Sequence, residues 1–216
     1  MTCLVTAGPT YEALDEVRRL TNFSTGRLGT ELANCLAAHG HDVTLMIGEQ
    51  ATWQGARGAR RIESFTTTSD LRDRLQALAG ESMDAVFHAA AVSDFTFGKV
   101  WERTASGELI AAKSGKISTR HGTLLAELVP TPKIISHLRS WFPRARLIGW
   151  KYEIDGDRAG VIAKARQQLT ENSTDACVAN GRAYGPGFGL VTRAPEPAHL
   201  ADTPALFRAL EQVVLS

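Results

Sequence analysis

Cysteine is scarce in this chain of 216 residues: Cys3, Cys35 and Cys177 stand far apart, odd in number and without a CxxC pair, which excludes a disulfide framework. A reducing, cytoplasmic setting is the expectation. Long apolar runs are also missing, and the opening MTCLVTAG has no charged stretch followed by an apolar one, so neither a membrane span nor a secretory leader is expected. Charge of one sign is equally short: 24 Lys and Arg face 23 Asp and Glu, a net +1, which provides no general field for nucleic acid or an anionic membrane. Any phosphate site must therefore be local. The densest basic stretch, WQGARGARRIE, reads as a solvated loop. His39 and His41 flank Gly40 without an accompanying Cys, Asp or Glu cluster, so no protein-held metal is expected.

What is present reads as alternating β and α. With 44% hydrophobic residues and neither a repeat nor a Pro/Gly/Ser hinge, the chain has material for one sizeable core, and a single domain over 1–216 is expected. CLVTAG is a β-rich run stopping at Gly8, and GTELANCLAAHG places Leu32, Cys35 and Leu36 at helical spacing before Gly40, giving strand, long loop, helix. HDVTLMIG is a second strand, TTTSDLRDRLQALAG an amphipathic helix with a Ser or Asp cap, and DAVFHAAAVSDF a third strand. Residues 96–130 break this rhythm, with alternation around Ser-Gly and His-Gly turns that predicts an excursion of short strands or a flap. Then come TPKIISHLRSWF as helix, ARLIGWKY as strand, DRAGVIAKARQQLTEN as helix, DACVAN as strand and TPALFRALEQVVLS as a closing helix, with TRAPEPAHLADTP as a surface connection. The pattern predicts a doubly wound, mostly parallel Rossmann-like α/β sheet. Such sheets bind ligands at the carboxyl ends of their strands, so TAGPT, HAAAVSD, IGWKYE and VANGR should converge.

The stretch RLTNFSTGRLGTELA sets an amide, small hydroxyls and glycines at the mouth of the first helix. Leading helix amides have no internal partner and carry the positive end of the dipole, which suits an anion. Gly8, Gly26 and Gly29 leave backbone approachable, and Ser24 and Thr25 add hydroxyl donors, although the pattern is neither GxGxxG nor GxxxxGK[ST]. Asn22 can donate to an oxyanion and Arg18 can grip a phosphate. Ala90 and Ala91 have almost no side chain, so a ligand could lie on the sheet edge against main chain, with Asp94 facing it or acting as a helix cap. Lys116, in KSGKIST, stands among glycines where a lysine could close over phosphate.

Taken together, VTAGPTYEALDEVRRLTNFSTGRLG, HDVTLMIG, AAAVSDF, GKIS with LLAELVPTPKII, IGWKYE and DACVAN resemble the phosphopantothenate–cysteine ligase family of coenzyme A synthesis, in its monofunctional form. The resemblance implies that Gly8, Ser24, Gly26 and Gly29 hold the phosphates of a nucleoside triphosphate, CTP or ATP, with Mg²⁺, and that Trp150 and Asn180 lie near the nucleoside. Asn22, Ala90, Ala91 and Asp94 would hold 4′-phosphopantothenate and its acyl-nucleotide, which L-cysteine then attacks. Arg18 would reach phosphopantothenate of the neighbouring subunit in a homodimer, and Lys116, with Lys113 as competitor, would be the flap lysine. Asn22 and Lys116 carry the catalytic roles. A separate phosphopantothenoylcysteine decarboxylase is implied. Three positions depart from the family: Trp150 where Phe is common, Gly181 where an acidic residue is usual, and Lys133 where Asp is common.

Two other classes fit parts of the pattern. A short-chain NADPH reductase needs Tyr-x-x-x-Lys, but Tyr11, Tyr152 and Tyr184 are followed four positions on by Asp15, Gly156 and Phe188. A non-catalytic nucleotide-binding module would be consistent with the altered VANGRAYG segment.

Overall fold

The computed structural model describes residues 1–112, 115, 117 and 123–216. The large sheet carries eight strands in the order β13-β12-β11-β10-β6-β1-β4-β5. Its parallel strands are β1 (Thr2–Ala7), β4 (Asp42–Gly48), β5 (Arg61–Phe65), β6 (Ala85–His88), β10 (Arg146–Tyr152) and β11 (Ala176–Asn180), and β12 (Phe188–Val191) and β13 (Ala198–Leu200) add on antiparallel. Counted among the parallel strands alone, the chain starts in the middle, runs outward one way and then the other, which is the dinucleotide-fold order with its switch point between β1 and β6.

Two-sided burial explains why the inner strands read as nearly unbroken apolar runs. Cys3, Val5 and Ala7 face the cluster formed by Leu32 and Leu36 of α1 (Arg27–Ala38) and Leu206 and Leu210 of α5 (Thr203–Leu215). Leu4, Val86 and Leu147 face Leu71 and Leu75 of α2 (Thr68–Ala77) and Leu138 of α3 (Ile135–Trp141). Beneath β11, Val161 and Ala165 of α4 (Arg158–Glu171) pack on Cys177 and Ala179. Helices α1 and α5 thus cover one face, and α2, α3 and α4 the other.

The excursion is a three-stranded antiparallel sheet of β7 (Phe95–Arg103), β8 (Leu109–Ala111) and β9 (Thr123–Pro130), in the order β8-β7-β9. It grows directly out of the switch point, since Thr131 N–H donates to Asp94 O at 3.0 Å and Thr131 Oγ1 to Ser93 O at 2.5 Å.

Four expectations are corrected. The first long loop contains a hairpin, β2 (Tyr11–Ala13) with β3 (Arg19–Thr21), too short to show alternation. The basic stretch is only partly loop: from Arg61 it becomes edge strand β5, whose polar outward positions are those of a sheet margin, with Phe65 alone fully buried. The surface connection at 192–204 includes β13, and FGLV before it is β12. Helix α2 is capped by Thr67, whose side chain accepts from Asp70 N at 3.1 Å.

Gly29 fixes how closely the first helix lies on the first strand. A Cβ there would stand 2.7 Å from Ala7 Cβ and 3.3 Å from Thr6 O, so helix and strand meet at backbone distance. Gly29→Val should therefore cost roughly 2–3 kcal/mol by overpacking, read as a lower urea midpoint with an unchanged m value; a midpoint within error of wild type would show that the two elements separate freely.

Candidate functional site at the switch point

The carboxyl ends of β1 and β6 are stitched together after both strands end. Ala91 N–H donates to Gly8 O at 2.9 Å, Thr10 N–H donates to Ala91 O at 3.1 Å, and Pro9 and Ala91 form an isolated parallel bridge. Ser93 N–H donates to Thr10 Oγ1 at 2.8 Å. The Asn22 side chain reaches across, Nδ2 donating to Ala91 O at 2.9 Å. Of the expected substrate-holding residues, Asn22, Ala90, Ala91 and Asp94 are thus on adjoining segments. The expectation of a bare main chain at Ala90 and Ala91 is corrected, because Ala90 N–H donates to Thr6 Oγ1 at 3.2 Å and Ala91 uses both its N–H and its carbonyl internally. What the two alanines contribute is room.

Gly8 and Gly26 both adopt positive φ, 79° and 78°, and a Cβ on either would stand 2.9 Å from Ala51 Cβ. They bring the β1 loop, the start of α1 and the loop after β4 into contact. Gly26 is the N-cap of α1, with no side-chain cap and no acidic residue in the first turn. Helices α2, α4 and α5 are instead capped by Thr67, Asp157 and Asp202. Arg27 N–H is turned to Thr25 Oγ1 at 3.3 Å, while Leu28 and Gly29 occupy first-turn positions whose amides have no partner within the helix. Ser24 is half-buried just upstream, in a loop held by Trp53 N–H donating to Thr25 O at 3.1 Å. A helix start without a side-chain cap is the arrangement that suits an anion.

Trp150 and Asn180 lie on the α1 face of the sheet, where Trp150 pairs with Val178 and packs against the same core cluster as Leu28. Trp150 Nε1 and Asn180 Oδ1 are enclosed and find no hydrogen-bond partner among the described residues. A buried donor and acceptor left open cost free energy unless a bound group completes them. Gly181 follows with φ 111°, and a Cβ there would stand 2.3 Å from Glu153 O, so this loop has no space for the acidic side chain the resemblance expects.

Arg18 lies in the turn of the β2–β3 hairpin. Its Nε and Nη2 donate to Asp15 Oδ2 at 2.9 and 2.5 Å, and Nη2 also donates to Ile117 O at 2.6 Å. That guanidinium, with backbone N–H donors, holds the Asp15 carboxyl well below the usual carboxylate range. Lys116 and its competitor Lys113 lie outside the described residues.

On the opposite face a cavity of about 170 Å³ opens between β6, β10 and helices α3 and α4. Asp94 and Lys133 pair at its mouth, each about two-thirds exposed, and Gln168 lines it. Its floor is formed by His88 beside Gly149, whose missing Cβ would meet Gln168 Nε2 and Ile135 Cδ1, both at 2.9 Å. His88 is absent from the sequence-derived site; the signal available was a polar residue interrupting the β6 apolar run. His88 Nδ1 lies 2.9 Å from Thr6 Oγ1. That oxygen also accepts from Ala90 N–H, so Thr6 Oγ1 ties the imidazole to the main chain just after β6.

The DNA/pantothenate metabolism flavoprotein C-terminal domain model matches residues 1–194. The chain belongs to this family. A coenzyme A biosynthesis bifunctional protein CoaBC of Thermococcus kodakarensis is 33% identical over 84% of this chain and 42% of its own length, and one of Bacillus subtilis is 31% identical over 88% and 42%. The chain thus spans about two-fifths of these curated relatives. The solved DNA/pantothenate metabolism flavoprotein from Streptococcus pneumoniae superposes with a TM-score of 0.83 at 27% identity, covering 100% of this chain and 98% of that one. Family members share the doubly wound sheet found here.

Burial pushes the His88 imidazole down to about 4 from an ordinary 6.5. Unfolding releases it to take up a proton, so its contribution to stability is complete above pH 6.5 and is lost as pH falls from there toward 4, by roughly 3 kcal/mol over the window. Urea titrations between pH 7.5 and 4.5 should show that decline in wild type and a flatter one in His88→Gln; equal slopes would assign the loss to other groups.

Proposed function

We propose that this chain joins 4′-phosphopantothenate to L-cysteine through an acyl-nucleotide, drawing on CTP or ATP. The observation that carries the reading is the uncapped start of α1 opening at the β1/β6 switch point, in a chain of the matched family. The curated relatives' printed role in coenzyme A biosynthesis supports it.

A carboxylate resists an amine because its carbon is electron-rich and oxide does not leave. Attack of the phosphopantothenate carboxylate on the nucleotide α-phosphorus, with pyrophosphate departing, yields a mixed anhydride. The cysteine amine then displaces the nucleoside monophosphate and the amide forms. The protein's task is to position anions and to meet charge as it shifts. In this reading the amides of the Gly26–Gly29 turn and the Ser24 hydroxyl take the phosphates, Gly8 keeps the approach clear, and Trp150 Nε1 and Asn180 meet the nucleoside. Asn22, already anchored at Ala91, holds the acyl oxygen in the second step, with Ala90, Ala91 and Asp94 lining the pantothenate arm. Arg18 presents its remaining donors to phosphate, and Lys116 meets charge at the α-phosphorus. Among the described residues no group of three His, Cys, Asp or Glu is arranged to hold a metal, and in this reading Mg²⁺ would arrive on the triphosphate.

Exposed apolar side chains on the hairpin, its outgoing loop and the small sheet, including Val17, Leu20, Phe23, Phe95 and Leu128, support a homodimer formed through that side. Among the described residues no helix is long and apolar enough to cross a membrane. In this reading decarboxylation of the product falls to a separate phosphopantothenoylcysteine decarboxylase.

Pyrophosphate release should require phosphopantothenate, cysteine and one nucleotide together. Lys116→Gln should slow anhydride formation and Asn22→Asp its consumption, each by roughly a hundredfold, as expected for about 3 kcal/mol from one preorganised donor. Rapid-quench detection of the acyl-nucleotide separates the two steps. Absence of release with both CTP and ATP would favour the nucleotide-binding module.

A further inference from the structure

Asp15 has more donors on its carboxylate than a hairpin turn requires. Oδ1 accepts from Val17 N–H at 2.9 Å and Arg18 N–H at 2.7 Å, an arrangement that closes the turn locally. Leu14 N–H donating to Arg18 O at 2.8 Å closes it again through the main chain. Oδ2 serves a different end: besides the Arg18 guanidinium it accepts from Ile117 N–H at 3.2 Å, across 102 positions of sequence. The same guanidinium donates back to Ile117 O at 2.6 Å. One residue's N–H and carbonyl are therefore read at once by an ion pair whose carboxylate is 0% exposed, and the Ile117 side chain is itself buried. Satisfying the turn explains the Oδ1 contacts but not the enclosed charge on Oδ2 or the grip on a distant backbone.

We propose that Asp15 is a positioning residue: with Arg18 it clamps the Ile117 backbone and so fixes the attachment of the segment that carries the adjacent Lys116. Charge-assisted bonds to a peptide group read no side chain, so the clamp holds the main chain at Ile117 itself. It also links Arg18 to the lysine-bearing segment through one guanidinium. The catalytic part of this inference rests on the ligase reading above, whereas the clamp does not.

Asp15→Asn separates the two halves of the carboxylate. Asn keeps an Oδ1 acceptor for the turn but offers an N–H₂ group where Arg18 and Ile117 present donors, so the clamp alone is lost. In the full chain, exchange of the Ile117 amide followed by NMR should accelerate about tenfold or more, as for loss of a charged hydrogen-bond partner. In single-turnover assays the rate of acyl-nucleotide formation should fall about tenfold or more while KM for phosphopantothenate stays within about twofold, the pattern of a displaced catalytic group. Unchanged amide exchange overturns the clamp. Faster exchange with an unchanged rate, or a raised KM alone, overturns the positioning role. If Asp15→Asn fails to fold, Asp15→Ser, which keeps a hydroxyl acceptor for the turn amides but offers no second oxygen to Arg18 and Ile117, carries the same two readouts. Wild-type protein inactive with both nucleotides would defeat the ligase reading while leaving amide exchange to decide the clamp.

Discussion

Everything at this site depends on a short length of backbone in which β1 and β6 remain hydrogen-bonded after each has ceased to be a strand. The Gly8–Ala91 and Ala91–Thr10 bonds hold two segments side by side where the chain's two halves wind in opposite senses. Elsewhere in a doubly wound sheet neighbouring loops turn to the same side; at the switch point they part and leave a crevice. Side chains of ordinary size would close it. Gly48 shows how little slack there is, since a Cβ there would lie 2.2 Å from Pro9 O. The small residues after β1, β4 and β6 are thus one packing solution spread over three places in sequence.

That explains which parts were legible beforehand. Inner strands such as CLVTA and VTLMIG, buried on both faces, announce themselves by composition, and the alternation of strand with helix orders them. Margins do not: β5 keeps only Phe65 fully buried, and β13 is three residues long, so neither has a periodic signal strong enough to stand out from loop. The glycine N-cap of α1 was legible because glycine and hydroxyl residues cluster within a few positions. Partners far apart in sequence were not. Nothing in LDEVRR foretells that Asp15 will bind the backbone at Ile117, and nothing in VFHAA foretells that the histidine will meet the Thr6 hydroxyl.

The two faces of the sheet then differ in kind. On the α1 side are enclosed polar atoms with open valences, Trp150 Nε1 and Asn180 Oδ1. On the α3 side His88 Nδ1 is joined to Thr6 Oγ1, which also receives the Ala90 amide, and burial keeps the imidazole uncharged. A neutral floor avoids the cost of burying an imidazolium beside a cavity.

Charge near the crevice is similarly paired, but the pairs are not equivalent. Arg18 is held by a carboxylate with no exposure and shares it with a backbone amide, so drawing it away would strand a buried anion, the costly way to break an ion pair. Lys133 and Asp94 are both about two-thirds exposed, where such a pair contributes only about 0–1 kcal/mol. Arg27 with Glu31 resembles the latter on the arginine side. Of these cations, Lys133 and Arg27 can therefore leave their partners at small cost. Arg18, bonded to both Asp15 and the Ile117 carbonyl, is by contrast fixed in place.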